Sequence, residues 1–406
     1  MLVTHSSIVF IDNPQQSTKG MPAGPVESGY VAHQLLAGVY DSIPSLEPTA
    51  EDTARAREVM SLLQSEAGTQ WARSGSLRRR EPRSMDNTFT NLKKHSWETD
   101  AHLNPNRVEI DLTLAHLPKR AEDLVKSHKA GHKKGGESFS GLPPGFGYED
   151  ALVLAAARWF KHEYFRWADP IKCACGGDTT YEGQGEPSAE DLQGGAGRVE
   201  LHKCTACEKD TRFPRYNTTE ALMRAKVGRC GEFAQLFYIF LLALGLEARY
   251  VWNSEDHVWT EYWSPTLQHW VHVDSCEAEV NKPLLYDRGW GKMQAYCLAF
   301  GAAGAEDVTK VYVDDMAACL RRREDKWRQG TGWEEDHLAW LLLTHTVQCR
   351  GLLDEEERLV LQSMDEAQAR WAADEGERWR EAEASGLQGR QSGTEEWKEA
   401  RGETGK

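Results

Sequence analysis

The chain has 406 residues, with 48 Lys+Arg against 63 Asp+Glu for a net charge of −15, and 40% hydrophobic beside 27% charged residues. This is the composition of a globular protein able to bury a large core, and about 150 residues per domain suggests two or three units. It excludes a fibrous or wholly disordered chain and a nucleic-acid binder held by overall charge. Membrane insertion is excluded too, because the longest apolar run, Phe233 to Leu244, falls short of the roughly 18 residues a span needs.

The start, Met-Leu-Val-Thr-His, has no basic n-region, and the apolar stretch Ser7 to Ile11 is too short for a secretory leader. Nine cysteines cannot all pair within the chain, and several stand in short Cys-x-x-Cys-like spacings. Thiolates in a reducing compartment are expected rather than disulfides.

In chain order, residues 1–145 are rich in Ser, Pro, Gly and charge, with a loosely periodic helix at Glu51 to Gln64. The run Arg78-Arg79-Arg80 and the stretch 126–134 read as solvated linker. The density of apolar residues from Tyr148 to Trp167 predicts a buried helix. The segment Cys173 to Cys207 follows, interrupted by a Gly-, Glu- and Ser-rich insertion over 182–197 that reads as a loop. A short helix at Thr219 to Val227, the turn Gly228-Arg229-Cys230-Gly231 and an apolar helix closed by Gly245 come next. Strands are predicted at 247–253, 257–263, 269–276, 294–301 and 308–313, with Ser264 to Leu267 joining the second and third. Beyond Asp314 the chain reads as charged helix to about 373, and 374–406 as a tail polar enough to be disordered or to fold on a partner.

Two clusters of residues carry chemistry. Cys173-Ala-Cys175 and Cys204-Thr-Ala-Cys207 are two knuckles separated by a loop, the arrangement that lets four thiolates surround one ion tetrahedrally. One structural zinc ion is favoured, since four thiolates leave no open position for water. The first knuckle has Cys-x-Cys where Cys-x-x-Cys is usual.

The second cluster is Cys230, His257 and Asp274. Cys230 begins the apolar helix, where unpaired N–H groups and the positive end of the dipole favour thiolate and could hold an oxyanion. A turn centred between Pro265 and Thr266 would pair residues whose numbers add to 531, as 257 and 274 do. His257 and Asp274 would then face each other with Cβ atoms about 5 Å apart, so that the carboxylate orients the imidazole. Alternation puts Trp270, His272 and Asp274 on one face of that strand and Val271 and Val273 on the other.

These residues sit in stretches that resemble a known family. Gly228-Arg-Cys-Gly-Glu-Phe, Ala248-Arg-Tyr-Val-Trp, Asp256-His-Val-Trp-Thr-Glu and Trp270-Val-His-Val-Asp-Ser-Cys-Glu resemble the cytoplasmic peptide:N-glycanases of the transglutaminase-like superfamily. So do Trp159-Phe-Lys, Phe165-Arg-Trp, Arg212-Phe-Pro-Arg-Tyr-Asn, Lys282-Pro-Leu-Leu-Tyr and Asp307-Val-Thr. The ending from Trp397 resembles the tail of the shorter, yeast-type members.

The resemblance implies an α+β fold: a transglutaminase-like, papain-related cysteine-hydrolase core over 146–313, an inserted four-cysteine zinc-binding subdomain over 171–216, and flanking helices. It implies an amidase removing N-linked glycans from misfolded glycoproteins in the cytoplasm, with the nucleus left open. Cys230 would be the nucleophile, His257 the general acid/base and Asp274 its partner. Glu277 would contact the sugar, Trp167 and Trp270 would line the cleft, and Cys173, Cys175, Cys204 and Cys207 would be the family's structural zinc site. Denatured N-glycoproteins and a ubiquitin-shuttle or proteasome-associated protein are the implied partners. Phe233 stands where the family usually has Trp. A non-catalytic scaffold, or a thiol protease using the same three residues, are the competing readings.

Overall fold

The computed structural model describes residues 84–94, 106–129, 145–351, 353–374, 376 and 386–405. The predicted helix Glu51 to Gln64, the run Arg78 to Arg80 and residues 130–134 lie outside them. The chain divides into two compact units. Among the described residues, the smaller comprises 84–94, 303–306, 323–351 and 353–361. In it, Phe89 of the helix Ser84–Leu92 meets His345 of the helix Glu335–Arg350 edge-on, with ring centroids 6.2 Å apart.

The larger unit holds every residue of the two clusters. It begins with helices α1 (Arg107–Leu114), α2 (Leu117–Lys129) and α3 (Tyr148–Trp159). α3 starts at Gly147, whose N–H is capped by the Asp150 carboxylate at 2.6 Å, and that buried carboxylate also accepts the Tyr262 hydroxyl at 2.9 Å. The predicted helix stops sooner than Trp167. A π turn over Phe160–Tyr164 intervenes, and Phe165 is extended. The wider turn lets Phe160 and Phe165 stack at 5.2 Å, so burying both rings overrides continuation of the helix.

Strand β1 (Arg166–Trp167) leads to a three-stranded antiparallel sheet of β2 (Thr179–Gly185), β3 (Val199–Cys204) and β4 (Asp210–Pro214). Part of the predicted loop 182–197 is therefore strand, and part is helix α4 (Ala189–Gln193). Ser188 and Asp191 form its capping box: Ser188 Oγ accepts the Asp191 N–H at 3.1 Å and Asp191 accepts the Ser188 N–H at 2.8 Å. A small-residue composition concealed that box.

Helix α5 (Thr219–Ala225) and strand β5 (Val227–Gly228), paired in parallel with β1, deliver the chain to α6 (Cys230–Ala243). α6 is apolar on every side and is buried from Phe233 through Leu241. That is the pattern of a helix inside a core rather than on a surface. Phe233, Phe237 and Phe240 close around Phe160 at 5.3–5.8 Å.

The main sheet supplies the other wall. Strands β6 (Ala248–Asn253), β7 (His257–Ser264), β8 (His269–Asp274), β9 (Glu279–Val280) and β10 (Cys297–Gly301) pair antiparallel in the order β10-β6-β7-β8-β9. Val271 and Val273 turn into the core beneath α6, leaving His272 and Asp274 on the opposite face. The strand predicted at 308–313 is instead the short helix α7 (Thr309–Tyr312). Asp307 Oδ1 accepts both the N–H and the hydroxyl of Thr309, at 3.0 and 2.6 Å, and this local turn outcompetes the β-branched run.

The tail also differs from its expectation. Residues 386–405 fold onto this same unit, with helix α8 (Glu395–Ala400) capped by Thr394, and Arg390 and Glu403 buried. The charges that suggested disorder are paired: Arg390 with Glu403 at 2.7 Å, and Glu403 also with Lys292, outside the tail, at 2.5 Å.

Candidate active site

Cys230 is the first residue of α6, and its position depends on Gly228. A Cβ at that glycine would lie 2.3 Å from the Glu232 Cβ. Glu232 accepts the Arg229 N–H at 2.9 Å and the Arg215 guanidinium at 2.6 and 3.0 Å. Arg229 in turn grips Asp169 at 2.7 and 3.0 Å and Glu200 of β3 at 2.7 and 2.9 Å. Burial would raise the Glu200 carboxyl, but hydrogen bonds and charge from Arg229 and Arg215 hold it at about 2. The nucleophile's turn is thus bolted to the three-stranded sheet by compensated charges.

His257 opens β7 and Asp274 closes β8. His257 Nε2 lies 2.8 Å from Asp274 Oδ2, with both side chains buried. The register differs from the predicted one: Thr260 pairs with Val273 and Glu261 with His272, so opposed numbers add to 533. The turn has the expected length but sits one residue later, at Pro265–Gln268, and His257 and Asp274 are diagonal neighbours. A shift of two keeps both on one face, which is why the contact survives it.

Asp274 is held from three directions. Oδ1 accepts the N–H groups of Cys276 and Glu277 at 2.7 and 3.3 Å, and Oδ2 accepts the Tyr286 hydroxyl at 3.0 Å. His272 stands behind Tyr286 with Nε2 at 2.7 Å from the hydroxyl, while its Nδ1 accepts the Lys282 N–H at 3.2 Å. Nδ1 is therefore unprotonated, Nε2 donates to Tyr286, and Tyr286 donates to Asp274. Burial holds His272 down at about 3, so it stays neutral.

Burial pushes the Asp274 carboxyl up, but the charge and hydrogen bond of His257 overcome this and hold it well below its usual range. His257 is raised for the reciprocal reason, with Asp274 outweighing burial. Its Nδ1 is buried without a hydrogen bond. Burial would raise the Cys230 thiol, and the adjacent His257 imidazole lowers it instead. Cys276 is driven up by burial and stays a thiol. Among the described cysteines, Cys230 is the one placed to ionise beside the imidazole, the pairing a thiolate nucleophile requires.

The rings around His257 are Trp290 at 4.9 Å, Tyr286 at 5.1 Å and Trp259 at 5.9 Å. Trp167 packs on Phe233 of α6 at 5.8 Å and on Trp397 of α8 at 5.7 Å. Glu277 is buried, with its carboxylate accepting the N–H groups of Gln391 and Ser392 at 3.0 and 3.2 Å. Trp270 stands apart. It lies four residues from Asp274, about 13 Å along the strand, meeting Trp263 at 5.7 Å and the Arg249 guanidinium at 4.2 Å. Nothing in the sequence marks the roles of Tyr286, Trp290 and Arg390. Tyr286 ends the Lys282-Pro-Leu-Leu-Tyr motif and Arg390 precedes the family-like ending, so the motifs marked their neighbourhoods without their roles.

The four knuckle cysteines converge with sulfurs within 4.8 Å of one another. Cys173 Sγ is 3.6 Å from Cys207, and Cys175 Sγ is 3.5 and 3.4 Å from Cys204 and Cys207. Metal–sulfur bonds of about 2.3 Å give tetrahedral edges of about 3.8 Å, so the donors fit one metal ion. The missing residue in Cys-x-Cys is absorbed by a turn in which Gly176 N donates to Cys173 O at 2.8 Å and Cys173 N to Gly177 O at 3.0 Å. A Cβ at Gly177 would lie 2.9 Å from Cys204 Sγ, inside the cluster.

A buried helix carrying a cysteine at its N-terminus, packed on an antiparallel sheet carrying His and Asp, defines a transglutaminase-like protein. The profile of the transglutaminase-like superfamily matches residues 185–275, and that of the Rad4 transglutaminase-like domain matches 251–368. The peptide-N(4)-(N-acetyl-beta-glucosaminyl)asparagine amidase of Yarrowia lipolytica is 38% identical over 64% of this chain and 71% of its own length. That of Saccharomyces cerevisiae is 38% identical over 64% and 72%, and that of Mus musculus 41% over 63% and 38%. The chain belongs to this family, the peptide:N-glycanases.

Proposed function

We propose that this protein hydrolyses the amide bond joining Asn to the N-linked glycan of unfolded glycoproteins, with Cys230, His257 and Asp274 as its catalytic residues. The observation that carries the assignment of residues is the 2.8 Å contact between His257 Nε2 and Asp274, with Nδ1 left open beside a thiol at a helix N-terminus. The Cys230 thiolate attacks the side-chain carbonyl carbon of the glycosylated Asn. N–H groups at the start of α6 face the oxygen that gains charge. As the C–N bond breaks, the imidazolium gives its proton to the departing glycosylamine, leaving a thioester. His257 then takes a proton from water, the hydroxide attacks the thioester carbon, and the thiolate leaves, so that Asn has become Asp.

Zinc is the metal proposed for the four thiolates, in a purely structural role with no open coordination position. Through β3 and Glu200 that subdomain braces Arg229 beside Cys230. The family resemblance supports a cytoplasmic setting, action on misfolded glycoproteins exported from the endoplasmic reticulum, and a ubiquitin-shuttle or proteasome-associated partner. Incubation with a denatured glycopeptide, read by mass, tests the chemistry. Release of glycan with conversion of Asn to Asp is expected, and casein should remain uncut. Peptide cleavage without glycan release would instead favour a thiol protease.

A further inference from the structure

The turn after Asp274 is held on both sides. From within, the Cys276 and Glu277 N–H groups donate to Asp274 Oδ1. From the C-terminal segment, the Gln391 and Ser392 N–H groups donate to the Glu277 carboxylate, and the Ser392 hydroxyl donates to Cys276 O at 2.7 Å. Arg390 immediately precedes these residues and has no side-chain exposure. Its guanidinium lies 4.7 Å from the Trp290 ring, 5.1 Å from Trp167 and 4.5 Å from Trp397. Nη1 pairs with Glu403 at 2.7 Å, Nε is 4.0 Å from Glu277 Oε1, and Nε and Nη2 make no hydrogen bond. Trp290 also meets the His257 ring at 4.9 Å and Tyr286 at 4.9 Å.

A fully buried cation with two idle donors is costly unless nearby negative charge offsets it. Glu403 is shared with Lys292 and Arg401, so it does not offset Arg390 alone. We propose that Arg390 is a positioning residue of the active site: it locks the Glu277 turn that holds Asp274, and it supplies buried positive charge that favours the Cys230 thiolate. The inference rests on the reading that this pair does the chemistry.

The titratable groups that interact with Cys230 are Tyr250 from β6, His257 at the start of β7, Asp256 just before it, Cys276 just after β8, and Arg390, while Asp274 acts on it through His257. Arg390 favours thiolate and Asp256 opposes it, while Arg390 also works against the charge on His257, which Asp274 sustains. Asp256 is itself ion-paired with Arg401 of the same segment, so the segment supplies one cation to the site and screens one anion.

The test is the pH dependence of Cys230 alkylation by iodoacetamide in the full chain, read by mass spectrometry on the Cys230 peptide. In R390M the midpoint should rise by about one pH unit, slowing alkylation on the acid side about tenfold, while R390K keeps the wild-type midpoint. A folded R390M with the wild-type midpoint overturns the proposal. Should R390M fail to fold, E403Q decides: it leaves the Arg390 charge less compensated, so the midpoint should fall, and no fall overturns the proposal. Alkylation requires no amide hydrolysis. A wild type inactive on glycopeptide with an Arg390-dependent midpoint would reject the amidase reading and leave the role of Arg390 standing.

Discussion

His257 and Asp274 make a 2.8 Å contact although the hairpin does not place them directly opposite each other. The diagonal position costs nothing because Asp274 is the last residue of β8, where the chain turns and its carboxylate is pinned by the N–H groups that follow. The carboxylate should therefore set the charge of the imidazole as well as its orientation.

Asp274→Asn tests that. The wild-type rate should follow a bell in pH, with an acid limb below the ordinary thiol range because Cys230 is lowered and an alkaline limb above 6.5 because His257 is raised. The variant should move the alkaline limb to lower pH and cut kcat by about 10⁴-fold. An unmoved alkaline limb would mean that another group holds the imidazole proton.

Tyr286 ties Asp274 to neutral His272. Tyr286→Phe should reduce kcat about tenfold and destabilise the fold by about 1–3 kcal/mol, because buried His272 Nε2 loses its acceptor. Urea denaturation beside steady-state kinetics checks both. Unchanged stability would contradict the hydrogen-bond chain.

The four thiolates should bind one zinc ion per chain, measurable by metal analysis, and Cys175→Ser should abolish it. Stripping the metal with a chelator should lower Tm and activity together, since the subdomain anchors Arg229 through Glu200. Full metal content in Cys175→Ser would remove that cysteine from the ligand set.

Glu200 is held at about 2 against an ordinary 4.5. A depressed carboxyl contributes stability that is complete above the unfolded value and is lost as pH falls toward the folded one. Stability should therefore decline between about pH 5 and 2. Glu200→Gln should flatten part of that decline, and a slope unchanged by the substitution would contradict the assignment.

The parts of the fold readable in sequence were those with a strong local period. The all-apolar α6 and the strands around 248–274 announced themselves, and the spacing of Cys204 and Cys207 announced a metal knuckle. What escaped was decided by side-chain hydrogen bonds or by distant partners. Thr309–Tyr312 looks like strand until Asp307 turns it, and 182–197 looks like loop until Ser188 caps a helix. Arg390 looks like a solvated charge because Trp167, Trp290 and Glu403, which bury it, are remote in sequence or unmarked by periodicity. The site showed the same division. Cys230, His257 and Asp274 lie at element ends that pattern can locate, whereas Tyr286 and Trp290 are set by packing.

The most direct measurement of the central claim is the mass of a denatured N-glycopeptide after incubation with wild type and with Cys230→Ala. The account predicts complete conversion of the glycosylated Asn to Asp by the wild type and none by the variant. Full conversion by Cys230→Ala, or none by the folded, metal-loaded wild type, would contradict it.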